Sequence, residues 1–153
     1  MVAIRGYDDS TDRGQVIELW RTVFGYEAAH NEPSLAISKK TATNDGMFFV
    51  ASKEGRIVGT VMAGYDGHRG WLYAVAVHPD QRCSGLGRKL VRCAEEALTE
   101  VGCMKINLQL LVTNEATSAF YKSLGYSVEP RVSMGKILHA NVPVNSVAVK
   151  RED

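Results

Sequence analysis

The sequence has no long hydrophobic run and no excess of charge of either sign. Its longest apolar runs, Met47 to Ala51 and Trp71 to Val77, fall far short of the roughly 20 residues that cross a bilayer. Lys and Arg number 18 and Asp and Glu 17, a formal net charge of +1. A general affinity for phosphate backbones needs a strongly basic protein. We therefore expect neither a membrane nor a nucleic acid as a partner.

Cysteines are few, and their spacing fits neither a disulfide framework nor a metal site. Cys83, Cys93 and Cys103 are odd in number and contain no C-x-x-C pair, so we expect reduced thiols and no bound metal. The first ten residues also lack the basic and then apolar pattern of a signal peptide. Both features favour a cytoplasmic protein.

What remains is an ordinary globular composition, with 45% apolar residues in a chain of 153. That length predicts a single domain over residues 1–153, large enough to form a stable hydrophobic core without disulfides or a structural metal. The order of elements is predicted as β-α-α-β-β-β-α-β-α-β. Strands are expected at 2–5, 47–52, 56–65, 71–77 and 104–112, with a last one after residue 131. Helices are expected after the cap candidates 8–11, from residue 33, over 85–101 and from 113 or 114 to 124.

The middle of the chain predicts a βαβ unit. The strand 71–77, the helix 85–101 and the buried strand 104–112 follow one another, and such a crossover makes its two strands parallel. Hairpins earlier in the chain make the other pairings antiparallel. The fold class is therefore α+β, with a mixed and mostly antiparallel sheet.

The loop between this strand and its helix has the features of an anion site. Helix N-termini present unpaired N–H groups and a partial positive charge. Gly85 and Gly87 allow close backbone approach, and Arg82 and Arg88 add charge, as a pyrophosphate would require. The alternative is a tight loop whose glycines serve only a turn. The spacing matches neither a P-loop nor the G-x-G-x-x-G of a Rossmann fold, because Leu90 stands at the third glycine position.

Two stretches of the chain resemble the signatures of the GCN5-related N-acetyltransferase (GNAT) family. Residues 75–90, VAVHPDQRCSGLGRKL, contain the acetyl-CoA loop (Q/R)-x-x-G-x-(G/A). Residues 114–126, NEATSAFYKSLGY, are similar to the second signature, N-x-x-A-x-x-(F/L)-Y-x-x-x-G-(F/Y). The resemblance covers about residues 71–126, whereas the N-terminal part agrees in element order alone.

The resemblance implies an α+β fold with helices on both faces of the sheet, and direct acetyl transfer from acetyl-CoA without a metal. Amides of Val75 and Val77 would hold the pantetheine and the thioester carbonyl, Asn114 would reach the pantetheine arm, and Tyr121 would protonate the departing thiolate. The pyrophosphate would be held at Arg82, Ser84, Gly85, Leu86, Gly87 and Arg88.

A tyrosine is chemically suited to that role, since a phenol can donate to a thiolate in a site of suitable geometry. Tyr121 can also be read as an aromatic that packs an amphipathic helix against the sheet beside Phe120.

Two departures of the chain from its relatives matter here. Cys83 stands where many relatives have glycine, so the residue would be strained if its φ were positive. Gln109 stands where some relatives have a glutamate that acts as a base, and an amide cannot accept a proton. Other side chains are candidate bases by type alone, and none is assigned: Glu18, Glu27, His30, His68 and His78.

The acceptor is expected to be a primary amine of a small molecule or peptide, bound by roughly the first 70 residues. Aromatic and basic side chains there suggest a partly apolar wall, although core packing explains Trp20 and Phe24 equally well. The others are Tyr26, His30, Tyr65, His68, Arg69 and Trp71. The protein is expected to be a monomer or a homodimer.

Two rival functions remain at this point. The missing glutamate suggests a catalytically weak acyl-CoA-binding regulatory module, and the loop alone also suits an enzyme that binds another nucleotide.

Overall fold

A computed structural model describes residues 1–25 and 32–138 of the chain. Over these residues, helices lie against a five-stranded sheet. The strands are β1 (Val2–Gly6), β2 (Phe48–Lys53), β3 (Arg56–Tyr65), β4 (Gly70–Val77) and β5 (Ile106–Asn107). The α-helices are α1 (Asp9–Val23), α2 (Pro33–Ala42), α3 (Leu86–Glu100) and α4 (Glu115–Ser123), and a 3-10 turn spans Pro79–Gln81.

The strands are arranged in chain order across the sheet. The three pairings from β1 to β4 are antiparallel, and β4 pairs with β5 in parallel. The parallel pair encloses α3, as expected for a βαβ unit. The predicted α+β class with a mixed, mostly antiparallel sheet is confirmed.

Helices cover both faces of the sheet because alternate strand residues point to opposite sides. One apolar cluster joins Leu90, Ala94 and Leu98 of α3 to the sheet. A second cluster on the other face contains Val16 and Trp20 of α1, both almost completely buried. The sheet therefore separates an α3/α4 face from an α1/α2 face.

An ion pair fixes α1 against β1. Asp8 caps the helix by accepting a hydrogen bond from the Ser10 N–H at 3.0 Å, as N-cap aspartates do. One turn later the buried Asp12 carboxylate accepts two bonds from the Arg5 guanidinium, at 2.7 and 2.9 Å. These bonds hold the pKa of Asp12 below its ordinary value despite burial.

The predicted buried strand over 104–112 is wrong. The strand β5 has two residues, and Met104, Leu111 and Val112 around it are exposed. The side beyond β5 has no backbone ladder within the described chain. On that side the Glu129 carboxylate accepts a hydrogen bond from Asn107 Nδ2 of β5 at 2.7 Å, and another from Nζ of the preceding Lys105 at 2.6 Å. A strand that lacks a second neighbour loses the pairing that would extend and bury it.

The strand predicted after residue 131 is also absent over 131–138, and the remainder of its expected range lies outside the described residues. Val128, Val132 and Met134 are exposed. These apolar side chains therefore do not pack into the core over the described residues.

Candidate active site

β4 and β5 pair at one end and then separate. Their pairing joins Gly70 to Ile106 and Trp71 to Asn107. β5 ends there, whereas β4 continues to Val77. Backbone polar groups need a partner, so the β5-facing groups of β4 beyond Trp71 are available to a ligand. We call this opening the β4–β5 cleft.

A β-bulge lies on β4 beside the cleft. Thr60 of β3 pairs with Ala76 and Met62 pairs with Tyr73, so Ala74 and Val75 both fall opposite a single β3 residue. Ala74 has φ 49°, a left-handed conformation that is unfavourable for a residue with a Cβ. The bulge changes the direction of the backbone at the residues expected to meet the thioester.

The loop before α3 presents free backbone donors. Gly85 is the N-cap, has φ 83° and supplies no side-chain cap, so the N–H groups of the first turn lack helical partners. A Cβ at Gly85 would meet nothing within 4 Å, which leaves open space for a pyrophosphate. Arg82, Ser84 and Arg88 are exposed beside it. The structure thus fits the anion site that the sequence predicts.

Two neighbouring residues of this turn also serve packing. The Leu86 side chain is buried in the core, so it can offer a ligand its backbone alone. A Cβ at Gly87 would lie 3.1 Å from Cζ of Phe120 and 3.8 Å from Cγ2 of Val77. Gly87 therefore lets α4 pack against α3, and this contact brings the loop, the end of β4 and α4 together.

Cys83 has φ 62° and is exposed. The sequence predicts strain at Cys83 if its φ is positive, and the structure shows that it is. The loop therefore holds a strained residue where many relatives have glycine. None of the three cysteines forms a disulfide.

Tyr121 lies in the interior with 6% of its surface exposed. Its ring makes edge contacts with Phe120 and Tyr126, at centroid distances of 5.0 and 5.6 Å. Burial raises the pKa of Tyr121 to about 12, so the phenol keeps its proton at neutral pH. The side chain therefore packs in the core, as one of the two sequence interpretations has it, and proton donation by Tyr121 stays a prediction.

Asn114 caps α4, which resolves the choice between Thr113 and Asn114. Its Oδ1 accepts a bond from the Thr117 N–H at 3.3 Å, which leaves the Nδ2 group able to donate to a ligand. Thr117 stands where the second signature has alanine.

The residues considered as bases are scattered. Glu18 is exposed and pairs with Arg21 at 3.3 Å. His68 lies in the β3–β4 loop, and Nε2 of His78 lies 2.9 Å from the Arg56 guanidinium. Gln109 is exposed and donates to the Ser133 hydroxyl. Glu27 and His30 lie outside the described residues.

The candidate acceptor residues separate into core and surface. Trp20 is 2% exposed and belongs to the core, whereas Phe24 is 47% exposed. Trp71 Nε1 donates to Asp66 at 3.3 Å, and the Tyr65 hydroxyl donates to the Gly67 carbonyl at 3.2 Å. Tyr26 lies outside the described residues.

Thr60 is a residue near the site that the sequence pattern does not single out. This residue is completely buried, accepts a bond from Trp20 Nε1 and donates one to the Ala74 carbonyl, each at 2.8 Å. The available signal was a single hydroxyl inside the otherwise apolar run 57–63, because a buried polar group requires a partner.

Over residues 1–25 and 32–138, no helix is long and apolar enough to span a membrane. The same residues contain no group of three or more His, Cys, Asp or Glu side chains that could hold a metal ion.

Comparison with known proteins agrees with this geometry. Residues 14–126 match the sequence model of the acetyltransferase (GNAT) family. An acetyltransferase of Yersinia pestis is 39% identical over 108 residues, which are 71% of this chain and 77% of that protein. The crystal structure of glucosamine-6-phosphate N-acetyltransferase from Arabidopsis thaliana has a TM-score of 0.67 and 25% identity, covering 91% of this chain and 99% of that one.

A further likeness concerns the fold alone. The aminoglycoside N-acetyltransferase AAC(6')-Iy, solved in complex with CoA, has a TM-score of 0.74 at 18% identity and covers 90% of this chain and 95% of that one. That protein, which shares this fold, binds CoA. With the family match across the loop, the cleft and α4, the chain belongs to the GNAT family and is an acetyl-CoA-dependent N-acetyltransferase.

Proposed function

We propose that the protein transfers the acetyl group of acetyl-CoA directly to a primary amine of a small molecule or peptide, and that transfer takes place in the β4–β5 cleft. The observation that carries the proposal is the separation of β4 from β5 beside the N-terminus of α3. In the described chain the β5-facing amides of β4 beyond Trp71 lack a ladder partner and the first-turn amides of α3 lack helical partners, so both sets are free to bind a ligand.

The positive charge at the loop supports pyrophosphate binding there. Arg82, Arg88 and Lys89 take part in none of the ion pairs among the described residues. A free cation beside unpaired helix amides stabilises a phosphate. The β4 amides of Val75 and Val77 would then bind the pantetheine arm and the thioester.

The reaction requires one new bond, one broken bond and three proton transfers. The thioester supplies an activated acetyl group. As the amine nitrogen bonds to the acetyl carbon, the carbon–sulfur bond breaks, and the thiolate takes the phenol proton of Tyr121. The nitrogen releases its extra proton to water, and Tyr121 recovers a proton from water.

Burial of Tyr121 is compatible with this role even though it raises the pKa of the phenol. The same low-polarity surroundings raise the pKa of a thiol, so the proton affinities of donor and acceptor move together. A buried phenol is also a donor that water does not compete for.

The proton of the amine has no assigned protein acceptor, because Gln109 is neutral. An ammonium has no lone pair, so the amine must be deprotonated before it attacks. We therefore expect kcat/KM to rise with pH until the pKa of the amine itself is passed.

An acceptor screen tests the function. Thiol release from acetyl-CoA is followed with amino acids, polyamines, aminoglycosides and peptide N-termini, and the acetylated amine is identified by mass spectrometry. We expect release and one acetylated amine class. CoA binding without release for any amine would contradict the proposal and support the acyl-CoA-binding module. Stronger thermal stabilisation by NAD or ATP than by CoA would support the rival nucleotide-binding enzyme.

A further inference from the structure

A chain of two hydrogen bonds, the first buried and the second partly buried, connects α1 to the bulge of β4. Trp20 Nε1–H donates to the Thr60 hydroxyl oxygen, and that hydroxyl donates to the Ala74 carbonyl oxygen, both at 2.8 Å. Trp20 is 2% exposed and Thr60 is 0% exposed. A threonine has one hydroxyl proton. Since the indole can only donate, the hydroxyl proton must go to Ala74, which fixes the direction of both bonds.

The second bond replaces a missing part of the sheet ladder. At the bulge, Ala74 and Val75 lie opposite one β3 residue, and the regular register is interrupted. The Ala74 carbonyl is partly buried, where the lack of a hydrogen-bond partner is costly, and the Thr60 hydroxyl supplies that partner. Ala74 is meanwhile held at φ 49°, a conformation that persists only where its surroundings impose it.

The bond to Ala74 also determines where the next N–H points. The carbonyl of Ala74 and the N–H of Val75 belong to one planar peptide unit, and the described chain has no cis peptide bonds. In a trans unit these two groups point in opposite directions. The carbonyl points toward the Thr60 hydroxyl, which lies on the α1 side of the sheet beside Trp20, so the Val75 N–H points away from that hydroxyl. Val75 has no register partner on β3. Since β4 lies between β3 and β5, an N–H outside the β3 ladder is available to the β4–β5 cleft.

We propose that Thr60 is a positioning residue for acetyl transfer. Its hydroxyl holds the peptide between Ala74 and Val75 so that the Val75 N–H is directed at the thioester carbonyl, and Trp20 holds the hydroxyl. This inference rests on the proposed function, since it assumes that the thioester lies in the cleft. It assigns a role in acetyl recognition to a side chain that lies on β3, on the far side of β4 from that cleft.

Thr60→Val tests the proposal, because valine keeps the shape and removes the hydroxyl. Calorimetry measures the Kd of acetyl-CoA and of CoA without any amine, and thiol release measures kcat and KM with an accepted amine. We expect the wild-type preference for acetyl-CoA over CoA to fall to about one in Thr60→Val, with the Kd of CoA changed less than about twofold. We expect kcat to fall about tenfold or more, as for a misdirected donor at a developing oxyanion.

Two matched variants separate positioning from packing. Thr60→Ser keeps the hydroxyl and should recover most of the acetyl-CoA preference and of kcat. Val16→Ala removes buried volume from the same cluster on α1, and should lower the melting temperature without changing the preference. Equal impairment in Thr60→Ser and Thr60→Val, or an unchanged preference in Thr60→Val, would overturn the proposal.

A measurement on the wild-type protein covers the case in which Thr60→Val does not fold. The Val75 amide resonance should shift on addition of acetyl-CoA and shift much less with CoA. Equal shifts with both ligands would overturn the proposal. Neither the binding ratio nor the resonance depends on turnover, so failure of the acceptor screen and failure of the Thr60 proposal give different results.

Discussion

Gly85 and Gly87 belong to the same loop but meet different physical requirements. Gly85 has φ 83° and open space where a side chain would begin. Gly87 instead faces the ring of Phe120 at close range. The sequence pattern assigns both glycines to phosphate approach, although contact between α3 and α4 also requires the second one.

Gly85→Ala should weaken CoA binding by at least about tenfold, because a methyl group would enter the space where the pyrophosphate approaches its helix amides. That factor corresponds to about one charge-assisted hydrogen bond. Calorimetric titration with CoA measures the change. Gly102→Ala is the matched control, since Gly102 has φ 90° and equally open surroundings at the other end of α3.

Both substitutions impose a similar left-handed strain, about 1–2 kcal/mol, and should lower stability alike. Weakened CoA binding in both variants, or in neither, would show that Gly85 has no specific contact with the ligand.

The sequence predicts site residues well where a backbone role depends on residue type, as with the Gly85 turn and the Asn114 cap. It does not predict Ala74. Nothing about an alanine in a run such as WLYAVAV indicates a positive φ, because the bulge is imposed by pairing with β3 and by the Thr60 hydroxyl.

At the scale of elements, an ion pair joins β1 and α1. The Asp12 carboxylate is 2% exposed and accepts bonds from Arg5 and from the backbone N–H of Asp8. Its pKa is held below the ordinary value. A depressed folded-state pKa stabilises the protein above the unfolded pKa, and this contribution is lost as the pH falls through the folded value.

Asp12→Asn should therefore lower the free energy of unfolding at neutral pH by about 1.5–3 kcal/mol, the range for bonds to charged groups. Denaturant titration measures the change, and the variant should lose less stability than the wild type on acidification below pH about 4. Asp9→Asn serves as the control, because Asp9 is exposed and pairs with Arg13 at the surface. If the two variants are equally stable, the buried ion pair does not contribute as described.

The elements that the sequence predicts best have their own local signals. The sequence of α3 has an apolar stripe, with Gly85 before it and Gly102 after it. In the structure the helix begins at Leu86 and ends at Glu100, close to both glycines. β5 lacks such signals. Its length depends on neighbouring strands, and residues 126–138 contribute side-chain contacts instead of a ladder.

At the scale of the whole molecule, the net charge of +1 averages over an uneven distribution. Arg82, Arg88 and Lys89 gather at the loop before α3, while the acidic side chains of Asp12 and Asp45 are neutralised by partners elsewhere in the fold. A composition that argues against a polyanion-binding surface is therefore compatible with a local pyrophosphate site.

Alkaline pH should destabilise the whole fold through its buried tyrosines. Burial raises the pKa of Tyr121 from 10 to about 12, so the folded state favours the protonated phenol. This contribution is complete below pH 10 and is lost as the pH rises toward 12, about 2–3 kcal/mol in total.

Denaturant titrations at pH 9 to 12 measure this effect, with Tyr121→Phe as the comparison. The variant should lose less stability than the wild type over that interval. Parallel losses would mean that Tyr121 is not buried as described. The pKa of Tyr126 is also raised, by burial, by its bond to Glu95 and, least, by Tyr121, so Tyr126 should keep most of its contribution in the variant.

The most direct test of the account is the turnover of Tyr121→Phe with an amine that the wild type accepts. Positioned acid catalysis is worth about 10²–10⁴-fold, so we expect kcat to fall at least about tenfold while the Kd of CoA changes little. Tyr126→Phe, which removes a phenol bonded to Glu95 at 2.7 Å, should keep kcat near the wild-type value. An unchanged kcat in Tyr121→Phe would contradict the assignment of Tyr121 as the proton donor.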